Sequence, residues 1–203
     1  MSIHPISDEA FNILIEVLER FMKLSYKFKL ELKHVLFETT YNKRVRILSA
    51  KSQQDIAWFL LVGLSREIRI HTETFEENTV WFWFAKDFIY TTPGFFSREP
   101  SESTIEVLED CKVVLIRYDD WAVMKNTFPE TEIITEKIRS EYDKMRSLHA
   151  DDIKNLSTDE LYLKLEKTLN VLFGRTQLRF IAEYLGMSAD TLGRLRKKYS
   201  GRR

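Results

Sequence analysis

The stretch from about residue 40 to residue 117 constrains the fold most, because its apolar pattern is too short-ranged for helices and its residue types suit strands. Segments 45–48, 56–62, 67–74, 80–84, 104–108 and 112–116 are rich in aromatic and β-branched residues, and Ser, Gln, Asp, Asn, Pro and Gly separate them. Several short strands with no helical pattern between most of them predict an antiparallel sandwich or barrel. Trp81, Phe82, Trp83 and Phe84 make one strand aromatic on both faces. Core and interface packing accounts for these rings better than a ligand box does. Gly63 ends the apolar run Trp58, Phe59, Leu60, Leu61 and Val62, where a tight turn or a close backbone approach calls for glycine.

Helical periodicity brackets this block. Ser7, Asp8 and Glu9 open an amphipathic helix whose Phe11, Ile13, Leu14, Val17, Leu18 and Phe21 recur at threes and fours, and a second short helix is predicted over 29–37. Beyond Arg117 a helix is predicted over 118–126, and Pro129 suits the first turn of the next, where its missing N–H is not needed. Ile134, Ile138, Tyr142, Met145 and Leu148 then share an arc about 120° wide at 100° per residue. With Glu132, Lys137, Arg139, Glu141 and Lys144 beside it, this stripe has the character of a two-helix seam, and pairing with a second copy is preferred over a plain linker. Ser157 and Glu160 fit a capping box that restarts a helix through Phe173 and sets a domain boundary near Leu156.

The run from Thr176 to Lys198, TQLRFIAEYLGMSADTLGRLRKK, reads as a helix-turn-helix. Ile181 and Leu185 lie four apart on one face of a short helix, and Gly186 follows where the chain must adopt left-handed angles. Ser188 suits the N-cap of a second helix, with Asp190 in its first turn facing the helix dipole. Leu192 and Leu195 point back at the first helix, and Ala182 is small enough for close approach. The opposite face offers Asp190, Thr191, Arg194 and Lys197, the set that a helix lying in a major groove would present. From Gly174 onward Arg175, Arg179, Arg194, Arg196, Lys197, Lys198, Arg202 and Arg203 stand against Glu183 and Asp190. The whole chain is neutral, with 31 basic and 31 acidic residues, so this local excess is an electrostatic footprint for phosphate, although a solvated helix end with a basic tail would look similar.

Several classes are disfavoured. Hydrophobic content of 44% with 31% charged residues belongs to a folded globular chain of 203 residues, long enough for two modest domains. Glu16, Glu19 and Arg20 interrupt the best N-terminal apolar run, so neither a membrane helix nor a secretory signal is expected, and a cytoplasmic location is the default. Cys111 is the only cysteine, which rules out an internal disulfide and any multi-cysteine zinc or iron–sulfur cage. His4, His34, His71 and His149 form no i, i+4 pair, so no metal or other cofactor is expected. An enzyme of cupin type would need clustered ligands in the sandwich, and His71 stands alone there with Glu73 two residues on.

Helix, β-sandwich, long helix and helix-turn-helix in this order resemble the Crp/Fnr family of bacterial transcription regulators, over nearly the whole chain. IAEYLGMSADTLGRLRKK (181–198) is similar to the family's recognition segment, with support from FLLVGLSREIRI (59–70) and WFAKDFI (83–89). The resemblance implies an α+β fold: an N-terminal antiparallel, jelly-roll-like β-roll with flanking helices over 1–128, a dimerisation helix and linker over 129–155, and a winged helix-turn-helix that binds DNA over 156–203. It further implies a homodimer on a palindromic operator in double-stranded DNA, with RNA polymerase as a further partner. The chain departs from the family at the phosphate site. Family members that bind cyclic nucleotides use a Gly-Glu pair and an Arg-Ser step, whereas Tyr90, Thr91, Thr92, Pro93 and Gly94 follow Ile89 here and Ser101 and Glu102 fall on the Arg-Ser step. A carboxylate in place of a guanidinium removes the clamp and repels an anion, so a response to cyclic AMP is not expected.

A different small-molecule effector is left open, with Tyr90, Thr91, Ser103 and Thr104 as the first residues to examine. In the implied complex Asp190 and Arg194 reach base edges, Arg194 to guanine and Asp190 to a cytosine amine. Ala189 stands where better-known relatives carry arginine, which removes one base contact. Ser188, Thr191, Lys197 and Lys198, with Arg175 and Gln177 at the entry to the motif, are expected on phosphates. The competing reading is a protein-interaction module whose helix-turn-helix no longer meets DNA.

Overall fold

A computed structural model describes residues 2–199; Arg202 and Arg203 of the basic tail lie outside them. The N-terminal part is a roll of two antiparallel sheets. In chain order its elements are β1 (His4–Pro5), α1 (Asp8–Leu18), α2 (Tyr26–Val35), β2 (Phe37–Tyr41), β3 (Arg46–Leu48), β4 (Ile56–Val62), β5 (Leu64–Ile70), β6 (Glu77–Phe84), β7 (Phe88–Ile89), β8 (Thr104–Val107) and β9 (Cys111–Arg117). One sheet runs β1-β2-β9-β4-β7 and the other β3-β8-β5-β6. Leu60, Leu64, Ile105, Val107 and Val113 are fully buried in the roll. Each such side chain contributes about 1.5–3 kcal/mol by leaving water.

The chain crosses from one sheet to the other at Gly63. Its φ of +118° and its contact with Cys111, whose Sγ would lie 2.3 Å from an added Cβ, leave no room for another residue. This corner explains why β5 begins at Leu64 and ends at Ile70, ahead of the 67–74 expected from sequence. The second helix also lies earlier than expected, and Phe37 opens β2, which pairs Phe37 with Leu115 and Tyr41 with Cys111. FETTY is half polar, and its strand identity comes from the partner β9 rather than from its own pattern.

Helices follow the roll: α3 (Tyr118–Thr127), α4 (Pro129–Asn155), α5 (Thr158–Lys164), α6 (Glu166–Leu172), α7 (Leu178–Tyr184) and α8 (Ala189–Tyr199). Pro129 occupies the first turn of α4, and Ser157 with Glu160 forms the expected capping box at α5. The helix expected to run on through Phe173 breaks at Leu165 into α5 and α6. Among the described residues no strand follows β9. Residues 173–177 join α6 to α7 and are too few for a hairpin, so in place of a wing there is one isolated bridge between Phe173 and Thr176.

The apolar stripe of α4 is divided. Ile134, Ile138 and Tyr142 are buried against the roll of their own chain, so they are not the seam expected for a second copy. Steps of four advance about 40° around a helix, so the covered strip winds onward to Arg146 and His149. Met145 and Leu148 stay exposed.

Candidate nucleic-acid interface

The helix-turn-helix is assembled by local bonds. The α7 helix ends where Leu185 N donates to Ile181 O at 3.1 Å and Met187 N to Ala182 O at 3.0 Å. Between them Gly186 takes φ +64°, as a turn this tight requires. The Ser188 hydroxyl accepts from Thr191 N at 3.1 Å and caps α8. Leu192, Leu195 and Tyr199 are buried on the inner side of α8, and Ile181, Ala182 and Leu185 on the facing side of α7 and its C-cap.

Ser188, Asp190, Arg194, Lys197 and Lys198 are exposed, and Thr191 is half-buried beside them. Arg194 reaches Asp190 at 3.3 Å on the same face. Such an exposed pair is worth roughly 0–1 kcal/mol, so either partner can turn to another ligand at little cost. Lys198 contacts Asp159, which also accepts from the Tyr199 hydroxyl at 2.6 Å. The Asp159 carboxylate raises the Lys198 ammonium above the usual lysine range, and Lys198 in turn lowers Asp159. Arg196 lies 4.5 Å over the Phe173 ring.

The entry residues behave differently from one another. Gln177 is exposed. Arg175 turns into the β-roll, where its guanidinium contacts Glu109 and donates to Gly63 O at 3.2 Å. In this arrangement Arg175 is not displayed with the cations of α8. Nor is the motif a separate body, because α7 is docked on β6. Strand β6 is the edge of its sheet, and the Thr79 N–H that a further strand would use donates instead to Glu183 at 2.9 Å. The Thr79 hydroxyl donates to the same oxygen at 2.8 Å, and Arg179 Nε donates to the other at 2.8 Å. Arg66 joins the contact with its guanidinium 3.4 Å over Phe180, while it donates to Glu106 at 2.6 Å and to Thr79 at 3.0 Å.

Tyr184 completes the joint. Its ring lies edge-on to Trp81 and Phe82 and stacks on His149 at 4.1 Å. His149 Nε2 is 2.9 Å from Tyr184 O, and burial lowers its pKa, so the neutral ring donates from Nε2. The aromatic strand expected as core and interface is both, since Trp83 faces Tyr90 and Tyr142 while Trp81 and Phe82 meet α7.

The four residues considered for an effector are buried; Thr91, Ser103 and Thr104 have hydrogen-bond partners, whereas the Tyr90 hydroxyl has none. Gln54 Oε1 accepts from Thr91 N and from the Thr91 hydroxyl, both at 2.9 Å, and Thr104 accepts from Ala50 N at 3.0 Å. Ser103 donates to Glu67 at 2.8 Å, and Tyr90 is enclosed by Trp83, Phe96 and Tyr142. Sequence reasoning missed the group that dominates here. Glu67, 1% exposed, is bound at 2.6 Å by Arg146 of α4, whose guanidinium also lies over Trp81 and Trp83. Glu102, expected as the carboxylate at the phosphate position, is exposed, with Arg69 at 4.0 Å. Glu67 is a buried carboxylate that the sequence does not mark, since Ser65, Glu67 and Arg69 hold the polar positions of β5. Among the described residues no three His, Cys, Asp or Glu side chains gather as a metal site would require, and no helix is long and apolar enough to cross a membrane.

Comparison with known proteins places the fold. No family model and no curated protein matches the sequence. Solved structures match across most of the chain. FixK2 from Bradyrhizobium japonicum aligns with a TM-score of 0.72 at 14% identity, covering 83% of this chain and 86% of that one. A putative Crp/Fnr-family transcriptional regulator from Eubacterium rectale gives 0.69 at 15%, covering 88% and 85%. CLP from Xanthomonas campestris, a c-di-GMP responsive global regulator, gives 0.65 at 16%, covering 88% and 93%. The chain has the α+β fold of these regulators.

Proposed function

We propose that this chain is a dimeric, sequence-specific DNA-binding transcriptional regulator of Crp/Fnr type that does not respond to cyclic AMP. The observation that carries the reading is the two-sided character of α8: Leu192, Leu195 and Tyr199 are buried, and Asp190, Arg194, Lys197 and Lys198 face outward on the other side. The likeness in fold to known regulators supports it. Arg194 reads guanine and Asp190 reads cytosine once their mutual pair is exchanged for base edges. Ser188, Thr191, Lys197, Lys198 and Gln177 hold phosphates, and Arg175 joins them only if it leaves Glu109. The exposed Ile133, Met145 and Leu148 of α4 are the surface for a second copy. Two such copies suit a palindromic operator, with the cytoplasm as the site of action, RNA polymerase as a further partner and no catalytic role.

The case against cyclic AMP rests on Ser101 and Glu102 standing at the Arg-Ser step, and on Arg146 being already matched by the buried Glu67 that Ser103 also contacts. One observation favours the second reading, a protein-docking module: Arg175, Arg179 and Lys198 are all matched by acidic residues of the same chain. Selection of bound sequences from a random duplex pool decides between the two. The regulator reading expects an enriched inverted repeat, and Arg194→Ala should then cost about 1–3 kcal/mol and relax one base position. A pool that stays random after repeated selection establishes the docking module instead.

A further inference from the structure

An apolar space bordered by Tyr90 lies between α1, α2 and α4 on one side and β4 and β9 on the other. It is a cavity of about 120 Å³ whose walls include Leu14, Phe28, Phe59, Phe95, Trp121 and Ile138, with no charged side chain among them. A cavity of about 150 Å³ lined by Leu, Ile and Phe is known to stay dry and to accept benzene. Water needs two to four polar partners to settle in such a space, and this one offers few. Thr131 and Thr135 bring hydroxyls to it from α4, four residues apart and hence on one face of the helix, and Tyr90, whose hydroxyl also has no partner, lines it just beyond β7. Thr135 already accepts from Trp121 Nε1 at 3.2 Å. Thr131 is 7% exposed and its Oγ1 has no hydrogen-bond partner, an arrangement that costs stability unless a ligand supplies one.

We infer that this cavity is a binding site for a small neutral ring compound with one hydroxyl group, a simple phenol, held by edge contacts with the surrounding rings and by a hydrogen bond to Thr131. Size limits the ligand to one ring with small substituents. Charge limits it too, because a carboxylate would enter a wall with nothing to pair it. The site touches α4 at Thr131, Ile134 and Ile138, and it stands whether or not the chain binds DNA.

The test titrates the full chain with phenol, benzene and benzoate, following the melting midpoint and intermolecular NOEs to the Ile134 and Ile138 methyl groups. Phenol and benzene should both raise the midpoint and show those NOEs, with phenol about 2- to 10-fold tighter and benzoate silent. Thr131→Val should bring phenol down to the level of benzene, and Ala57→Leu, which adds volume at the wall, should remove both. If neither ring shifts the midpoint or gives an NOE, if benzoate binds as well as phenol, or if a folded Ala57→Leu binds as before, the assignment is wrong. Should Ala57→Leu fail to fold, the NOEs in the unaltered chain decide alone.

Discussion

Replacing Glu183 with alanine removes the carboxylate that closes the free edge of β6. Two of the bonds it accepts cross from the helix-turn-helix to the roll, from Thr79 N at 2.9 Å and from the Thr79 hydroxyl at 2.8 Å. Hydrogen bonds to a charged group contribute about 1.5–3 kcal/mol each, so the crossing pair is worth about 3–6 kcal/mol. The lower end applies, because Tyr184 still packs on Trp81 and Phe82 and holds part of the joint in the variant. At 1.4 kcal/mol per factor of ten, about 3 kcal/mol raises the open population roughly 100-fold. Native-state hydrogen exchange reads this directly at the Thr79 amide, which should exchange about 100-fold faster in Glu183→Ala, while Val114 in central strand β9 should change far less. Glu183→Gln keeps an acceptor for the amide and loses the charge, so its rate should fall between. Unchanged exchange at Thr79, or equal acceleration at Thr79 and Val114, would refute the edge-capping role, the second because it means global loosening.

Three further outcomes follow from buried groups. Arg146→Ala leaves Glu67 buried and unpaired and should lower unfolding stability by about 3–5 kcal/mol in denaturant titration, whereas Arg146→Met with Glu67→Leu should recover most of that loss. Gly63→Ala forces a Cβ against Cys111 Sγ at φ +118° and should lower stability by at least about 1–3 kcal/mol, while Gly174→Ala, with nothing near its Cβ, should carry only the cost of its φ of +88°. Between pH 7 and 5 two groups oppose each other. His149, lowered by burial, gives stability that is present above about 6.5 and lost as pH falls toward its folded value, whereas Asp87, raised by burial to about 6, makes folding more favourable as pH falls through 6. Asp87→Asn should therefore steepen the acid-side loss in melting midpoint, and a slope unchanged by the substitution would assign the pH dependence elsewhere.

What the sequence revealed and what it withheld divide along one physical line. Strand β4 is apolar along nearly its whole length, α5 opens on a capping box, and the turn at Gly186 admits few residues; each is set by neighbours within a few positions, so each was legible. Strand β2 and the two-residue β7 exist only because β9 and β4 lie beside them, and no local pattern announces them. The charged residues show the same division at the site. Arg66 meets Glu106 across 40 residues, Arg175 meets Glu109 across 66 and Arg146 meets Glu67 across 79. A count of cations along the last thirty positions treats all of them as available to a polyanion, yet Arg175 faces the roll and Arg179 lies on the acid that docks α7. The same long-range pairing explains α4. Its covered face continues through Arg146 and His149 because Glu67, Trp81 and Tyr184 are there to receive them, and an apolar stripe drawn from sequence had to veer to Met145 and Leu148 instead. The polar continuation of α4 is thus what ties the long helix to the roll and to Tyr184 at once, so a change in the setting of α4 would be felt at the joint that holds the helix-turn-helix.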